Sequence, residues 1–196
     1  KMPVLHQVEP VIGANVVLLS GCVQSAATPN VVASLLKVLH HQGMDAEVFR
    51  EGCCGALDYH LSAHEAGMQR MKVVIDQLYP RIDQIDYIVS SATGCGITIR
   101  DYPEILQYDA EYRDKANAIV DKLVDPIEIV SGEAIEVATT RVAVHTPCSM
   151  QHGLGLTGAV EKLLGDIGFE ITAHREGHLC CGSAGTYSIL QPELSQ

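Results

Sequence analysis

The stretch Asn15–Gln24 reads NVVLLSGCVQ, an unbroken apolar run that stops at a Ser-Gly-Cys turn. Four consecutive aliphatic residues, Val16 to Leu19, suit a strand buried on both faces. The pattern returns as RVAVHTPCSMQ at Arg141–Gln151, with Cys148 placed 126 residues after Cys22. The residues downstream of each copy match too. HHQGMDAEVFREGCCGA (His40–Ala56) is echoed by GDIGFEITAHREGHLCCGSA (Gly165–Ala184). Gly43 falls on Gly168 and Arg50-Glu51-Gly52 on Arg175-Glu176-Gly177, both 125 residues apart. The CCG triplets are 127 apart because His178-Leu179 is inserted in the second copy. Agreement in several separate blocks at nearly one spacing marks a duplicated module.

Between the two copies the punctuation is regular. Thr28 can cap a helix that carries Pro29 in its first turn, with Val32, Leu35, Leu36 and Leu39 on one face and Gly43 at its end. DAEVF (Asp45–Phe49) reads as a second strand, leading into Cys53-Cys54-Gly55 and a long helix to about Leu78. IDYIVSS (Ile85–Ser91) reads as a third, leading into Gly94-Cys95-Gly96 and more helix. RVAVHT and FEITAH repeat the scheme ahead of Cys148 and Cys180. Strands alternating with helices predict an α/β fold: two duplicated modules with mostly parallel sheets flanked by helices. The expected modules are 14–126 and 140–196. Every cysteine group then follows the carboxyl end of a strand, the edge at which open α/β sheets bind ligands. The counterpart of Cys95 in the second copy would lie beyond Gln196, so the second module is expected to be truncated and the chain a piece of a longer one.

Thirteen Lys and Arg against 24 Asp and Glu give a net charge of −11, and the few cations do not cluster. Nucleic acid and anionic membrane surfaces both demand a basic patch, so neither is an expected partner. No apolar run approaches the ~20 residues that span a bilayer. The first residues lack the layout of a signal peptide, and a cytoplasmic chain is expected. No Ser-His-Asp order, P-loop or G-x-G-x-x-G is present, and no residue is assigned as catalytic.

Seven cysteines remain: Cys22, Cys53, Cys54, Cys95, Cys148, Cys180 and Cys181. An odd count with two adjacent pairs is unlike a secreted disulfide framework and points to metal or redox chemistry. Four thiolates from one module suit a tetrahedral zinc ion or an iron–sulfur cluster. His60 and His64, spaced i, i+4 on the expected helix, and His145 and His152, flanking Cys148, are candidate extra ligands or proton carriers. His40-His41 is placed at a helix end, where the dipole favours it. Gly94 and Gly96 can offer backbone N–H groups beside Cys95. Arg50 and Arg175 precede the CCG triplets, as cations beside thiolates or as ion-pair partners of Glu51 and Glu176.

GCVQ, CCGALDYH, SATGCG, PCSMQHG and LCCGSAGTYSILQPEL together resemble the paired CCG, or cysteine-rich, domains of glycolate oxidase iron–sulfur subunits. That family extends to heterodisulfide reductase catalytic subunits and lactate-utilisation proteins. The resemblance implies an electron-transfer subunit of an oxidoreductase complex oxidising glycolate to glyoxylate, inactive as this fragment alone. It implies iron–sulfur ligation, of the 4Fe–4S or noncubane type, by Cys22, Cys53, Cys54 and Cys95 in one module, and by Cys148, Cys180 and Cys181 in the other. FAD is expected only on the partnering flavin subunits, and any membrane contact is peripheral and made through the complex. Two departures stand out: there is no C-x-x-C-x-x-C run for the family's cubane clusters, and Thr98 occupies the place of a further cysteine in the heterodisulfide reductase form. Zinc remains the alternative metal, in a module that docks a flavoprotein.

Overall fold

The computed structural model describes residues 11–50, 52–132, 141–173, 175–179, 182–183 and 185–194. They fall into two compact units that part between Val130 and Ser131.

The first unit is built on the opening stretch. β1 (Asn15–Leu19) pairs in parallel with β2 (Asp45–Phe49) on one side and β3 (Tyr87–Ser90) on the other, and β4 (Leu123–Val124) adds outside β3. The sheet order is β2-β1-β3-β4. Alternate residues of β1 serve opposite layers. Val16 and Leu18 pack with Val32 and Leu39 of α2 (Pro29–His41), whereas Val17 packs with α4 (His64–Leu78). On α4 the inward face is Met71, Val74, Ile75 and Leu78, the i, i+3, i+4, i+7 stripe of a half-buried helix. Helices therefore cover both faces. The chain reverses its winding between β1 and β3, the switch point at which such sheets leave a crevice.

Three local expectations need correction. Cys22 does not lie in a loop but opens a short helix, α1 (Cys22–Ala27), because the Gly21 carbonyl already accepts from Ser25 N–H at 2.8 Å. Thr28 sits at the N-cap of α2 but its hydroxyl makes no capping bond. The helix after the first CCG is two helices, α3 (Ala56–His60) and α4, broken at Ser62 with φ +67°. The break comes from packing: Gly67 of α4 lies so close to Tyr59 of α3 that a Cβ there would be 2.9 Å from the Tyr59 backbone nitrogen. His60 and His64 consequently do not share one helix face; they approach Tyr59 separately, at ring-centroid distances of 6.2 and 4.7 Å.

Beyond β3 come α5 (Thr93–Arg100), α6 (Tyr102–Ile105) and α7 (Arg113–Val120). After β4, α8 (Pro126–Ile129) begins with a complete capping box. The Asp125 carboxylate accepts from Ile127 N–H at 3.0 Å, and Glu128 accepts from Asp125 N–H at 2.7 Å.

The second unit repeats the start of the first in reduced form. β5 (Arg141–Val142) and β6 (Glu170–Ile171) pair in parallel, with Arg141 opposite Glu170 where the first unit sets Asn15 opposite Asp45. The expected strands RVAVHT and FEITAH are thus only two residues long in ladder terms. Between them α9 (Ala159–Ile167) ends at Gly168 with φ +113°, as α2 leads to Gly43 with φ +79°. Gly55 and Gly182, the glycines of the two CCG triplets, also share the left-handed conformation, at φ +80° and +76°. Cys148 is followed by a π-helical turn, Ser149–Leu154, rather than by an α-helix. No helix among the described residues is long and apolar enough to cross a membrane.

Candidate metal centre

Three strand ends deliver four sulfurs. Cys22 follows β1, Cys53 and Cys54 follow β2, and Cys95 sits in the first turn of α5 after β3. Cys22 Sγ lies 3.4 Å from Cys53 Sγ, and Cys54 Sγ donates to Cys95 Sγ at 3.1 Å. The adjacent residues Cys53 and Cys54 therefore turn to different partners. That geometry depends on Gly55, whose left-handed backbone starts α3 directly beneath the pair. A Cβ on Gly55 would stand 2.5 Å from the Gly67 carbonyl oxygen. Tyr102, fully buried, donates its hydroxyl to the Cys54 carbonyl at 2.9 Å and ties the turn to the core. Ser91 Oγ, just after β3, donates to Gln24 Oε1 in α1 at 3.0 Å, joining the other two cysteine-bearing segments.

The thiols perturb one another. Donation to Cys95, and then burial, push the Cys54 thiol up, while accepting that bond lowers Cys95. Burial, ahead of contact with Cys53, raises Cys22. Two thiolates on one tetrahedral ion would lie about 3.8 Å apart, given metal–sulfur bonds of ~2.3 Å. Both pairs are closer than that, so each must open by roughly half an ångström to seat a metal. Among the described residues, no three or more Cys, His, Asp or Glu side chains surround one point as the ligands of a single ion would. The donor set is nevertheless all thiol, which suits soft metals and thiolate-bound clusters.

The other candidates divide. Gly96 N–H is taken by the Ala92 carbonyl at 2.9 Å within the helix start, while Gly94 is exposed and its carbonyl receives the Thr98 hydroxyl at 2.9 Å. His60 faces Asp101 across an open cavity that also includes Tyr59, Thr98 and Tyr108. His40 is a structural residue, bonded to the Ala46 carbonyl at 2.8 Å. Arg50 and Arg175 are exposed, and Glu51 lies outside the described residues. The guanidinium that senses the sulfurs is instead Arg70 of α4. It is ion-paired with Asp58 and held charged first by that carboxylate and then by Cys53 and Cys22. Nothing in the spacing of Arg70 singled it out; its place follows from the α3–α4 packing.

In the second unit Cys148 is exposed, and Cys180 and Cys181 lie outside the described residues. His145 bonds the Leu179 carbonyl at 3.2 Å through Nε2, and Gln151, nearly buried, donates to the Gly177 carbonyl at 2.8 Å. Both thus hold the segment before the second CCG against the Cys148 turn. His152 is exposed on that turn.

Comparison with known proteins identifies the family. The cysteine-rich (CCG) domain family model matches residues 16–100 and 142–196. The chain is 40% identical over 187 residues to the glycolate oxidase iron-sulfur subunit of Escherichia coli (strain K12), covering 92% of this chain and 46% of that protein. It is 30% identical over 192 residues to lactate utilization protein A of Exiguobacterium sp., and 31% identical over 183 residues to that of Bacillus subtilis (strain 168). It covers 76% and 75% of those two proteins, and 92% and 89% of its own length. The chain thus spans about half the length of the first relative and three quarters of the others.

Proposed function

Because the chain belongs to the cysteine-rich (CCG) domain family, we propose that it is part of an iron–sulfur electron-transfer subunit in a hydroxy-acid-oxidising complex. Glycolate is the favoured substrate, since the relative with 40% identity is a glycolate oxidase subunit. The observation that carries the reading is the convergence of four sulfurs from three strand ends at the switch point of a parallel sheet. Cys22, Cys53, Cys54 and Cys95 hold the cluster of the first module, 14–126. Cys148, Cys180 and Cys181 contribute to a second site in the module 140–196, with His152 as a candidate further ligand. Held there, an iron–sulfur group would supply one-electron transfer. The extended arrangement, two pairs rather than four sulfurs about one point, favours a polynuclear group over a lone zinc ion.

The chain's own residues supply placement and charge balance. Tyr102 anchors the turn that presents Cys54. Gly55 turns the backbone so that Cys53 meets Cys22 while Cys54 meets Cys95. Arg70 offers a cation to offset thiolate charge. His60, facing Asp101 in a neighbouring cavity, is a candidate proton carrier, and Gly94 is exposed in the first turn of α5, where its backbone is open to a ligand. The partner is a flavin-bearing subunit that oxidises the hydroxy acid, with FAD held there and not here. Any membrane association runs through that complex.

Anaerobic purification followed by iron, zinc and acid-labile sulfide analysis and a visible spectrum tests the reading. Iron with sulfide and broad visible absorption is expected; stoichiometric zinc in a colourless protein overturns it. Cys54→Ser should remove most of the bound metal, and Cys181→Ser little, since the first module alone brings four thiolates. Equal losses from both substitutions would contradict the assignment of the complete site to the first module.

A further inference from the structure

The sulfur row also supports a chemistry that needs no metal. Cys22–Cys53 and Cys54–Cys95 are separated by 3.4 and 3.1 Å, against about 2.05 Å in a disulfide, so each pair needs a closure of little more than one ångström. Each pair joins two different strand-end segments. The competing bond, between neighbours Cys53 and Cys54, requires a strained eight-membered ring beside the left-handed Gly55.

We propose that the metal-free first unit is a dithiol–disulfide couple that closes as Cys22–Cys53 and Cys54–Cys95. The oxidant is a small organic disulfide of the glutathione kind. The exposed Cys22 attacks one of its sulfurs and expels one small thiol. Cys53 Sγ then attacks the Cys22 sulfur of this mixed disulfide and expels the second. Two protein thiols become one disulfide, the small disulfide becomes two thiols, and the two protons leave with them. A second molecule of oxidant closes the inner pair by the same two displacements. That step comes later, because Cys54 and Cys95 are only partly exposed. With both bonds made, all four sulfurs are occupied, and metal can enter only after a dithiol has reduced them. The inference stands on sulfur geometry and is independent of which metal the centre takes.

The test is to incubate the reduced, metal-free full chain with excess oxidised glutathione, cap the remaining thiols, and map the cross-linked peptides by mass spectrometry over time. The expected result is a Cys22–Cys53 cross-link first and Cys54–Cys95 second. A Cys53–Cys54 bond, stable glutathione adducts on Cys22 and Cys53, or pairing of any of the four with Cys148, Cys180 or Cys181 overturns the proposal. So does an absence of oxidation. Cys22→Ser supplies a second arm: the Cys53 cross-link should be lost entirely while Cys54–Cys95 still forms. If Cys53 instead captures Cys54 and leaves Cys95 free, the pairing is wrong. Iron content in the same preparations, before metal removal, reports separately on the function proposed above.

Discussion

Gly55 and Gly182 hold the same left-handed conformation in the two copies of one motif, yet their surroundings differ. Around Gly182 a Cβ would meet none of the described residues within 4 Å, whereas at Gly55 it would press on the Gly67 carbonyl at 2.5 Å and on Met71 at 3.1 Å. Gly182→Ala should therefore cost only the backbone term, about 1–2 kcal/mol. Gly55→Ala adds overpacking against backbone, bringing the loss to about 3 kcal/mol or more. Denaturant unfolding of each variant, read in its own unit, checks the difference; equal costs would mean that the α3–α4 contact yields freely. The role of glycine beside each cysteine pair was legible in the sequence, since CCG twice at nearly one spacing signals a turn. The pairing was not. Which sulfur meets which depends on β1 lying between β2 and β3, and on Tyr102, 48 residues from the Cys54 carbonyl it holds. No short-range pattern encodes such a contact.

Among the elements, strands β1 and β3 and helix α2 were readable because their apolar runs and stripes are uninterrupted, and β2 because DAEVF lies between Gly43 and the first CCG triplet. The break between α3 and α4 was not, for no glycine or proline marks residues 61–63, and the cause is Tyr59 resting on Gly67. Element α8 carries its own pH dependence. Burial pushes Asp125 up to about 6 from 3.8, against the pull of the Ile127 N–H. A carboxyl raised on folding binds more protons in the native state between these values. Stability therefore falls as pH rises from about 4 to about 6, then levels off, and the loss is on the order of 3 kcal/mol. Asn at this position keeps the cap and carries no charge. Asp125→Asn should thus gain stability relative to the parent as pH rises from 4 to 7. A difference that stays constant over that range would show that the Asp125 charge is fully accommodated in the fold.

For the whole molecule, the two units are unequal in what they bury. The first has extensive clusters on both sheet faces; the described part of the second buries Met150, Leu154 and Leu156 as its apolar core. Hydrogen exchange should accordingly protect peptides from Asn15–Leu19 and His64–Leu78 longer than those from Arg141–Ile171. Similar protection throughout would argue for a single cooperative unit. The duplication was visible from residue spacing alone. The shortness of β5 and β6 was not, because strand length reflects partners that the apolar pattern does not name. The central place of β1 has a consequence for biosynthesis. Val16 pairs with Tyr87, 71 residues further on. At ~5–20 residues per second, the ribosome releases that partner about 4–14 s after β1 has emerged. Throughout that delay one edge of this apolar strand stays open, so the nascent polypeptide is a client for any factor that shields unpaired strands, and slowing translation beyond Phe49 should raise its need for one.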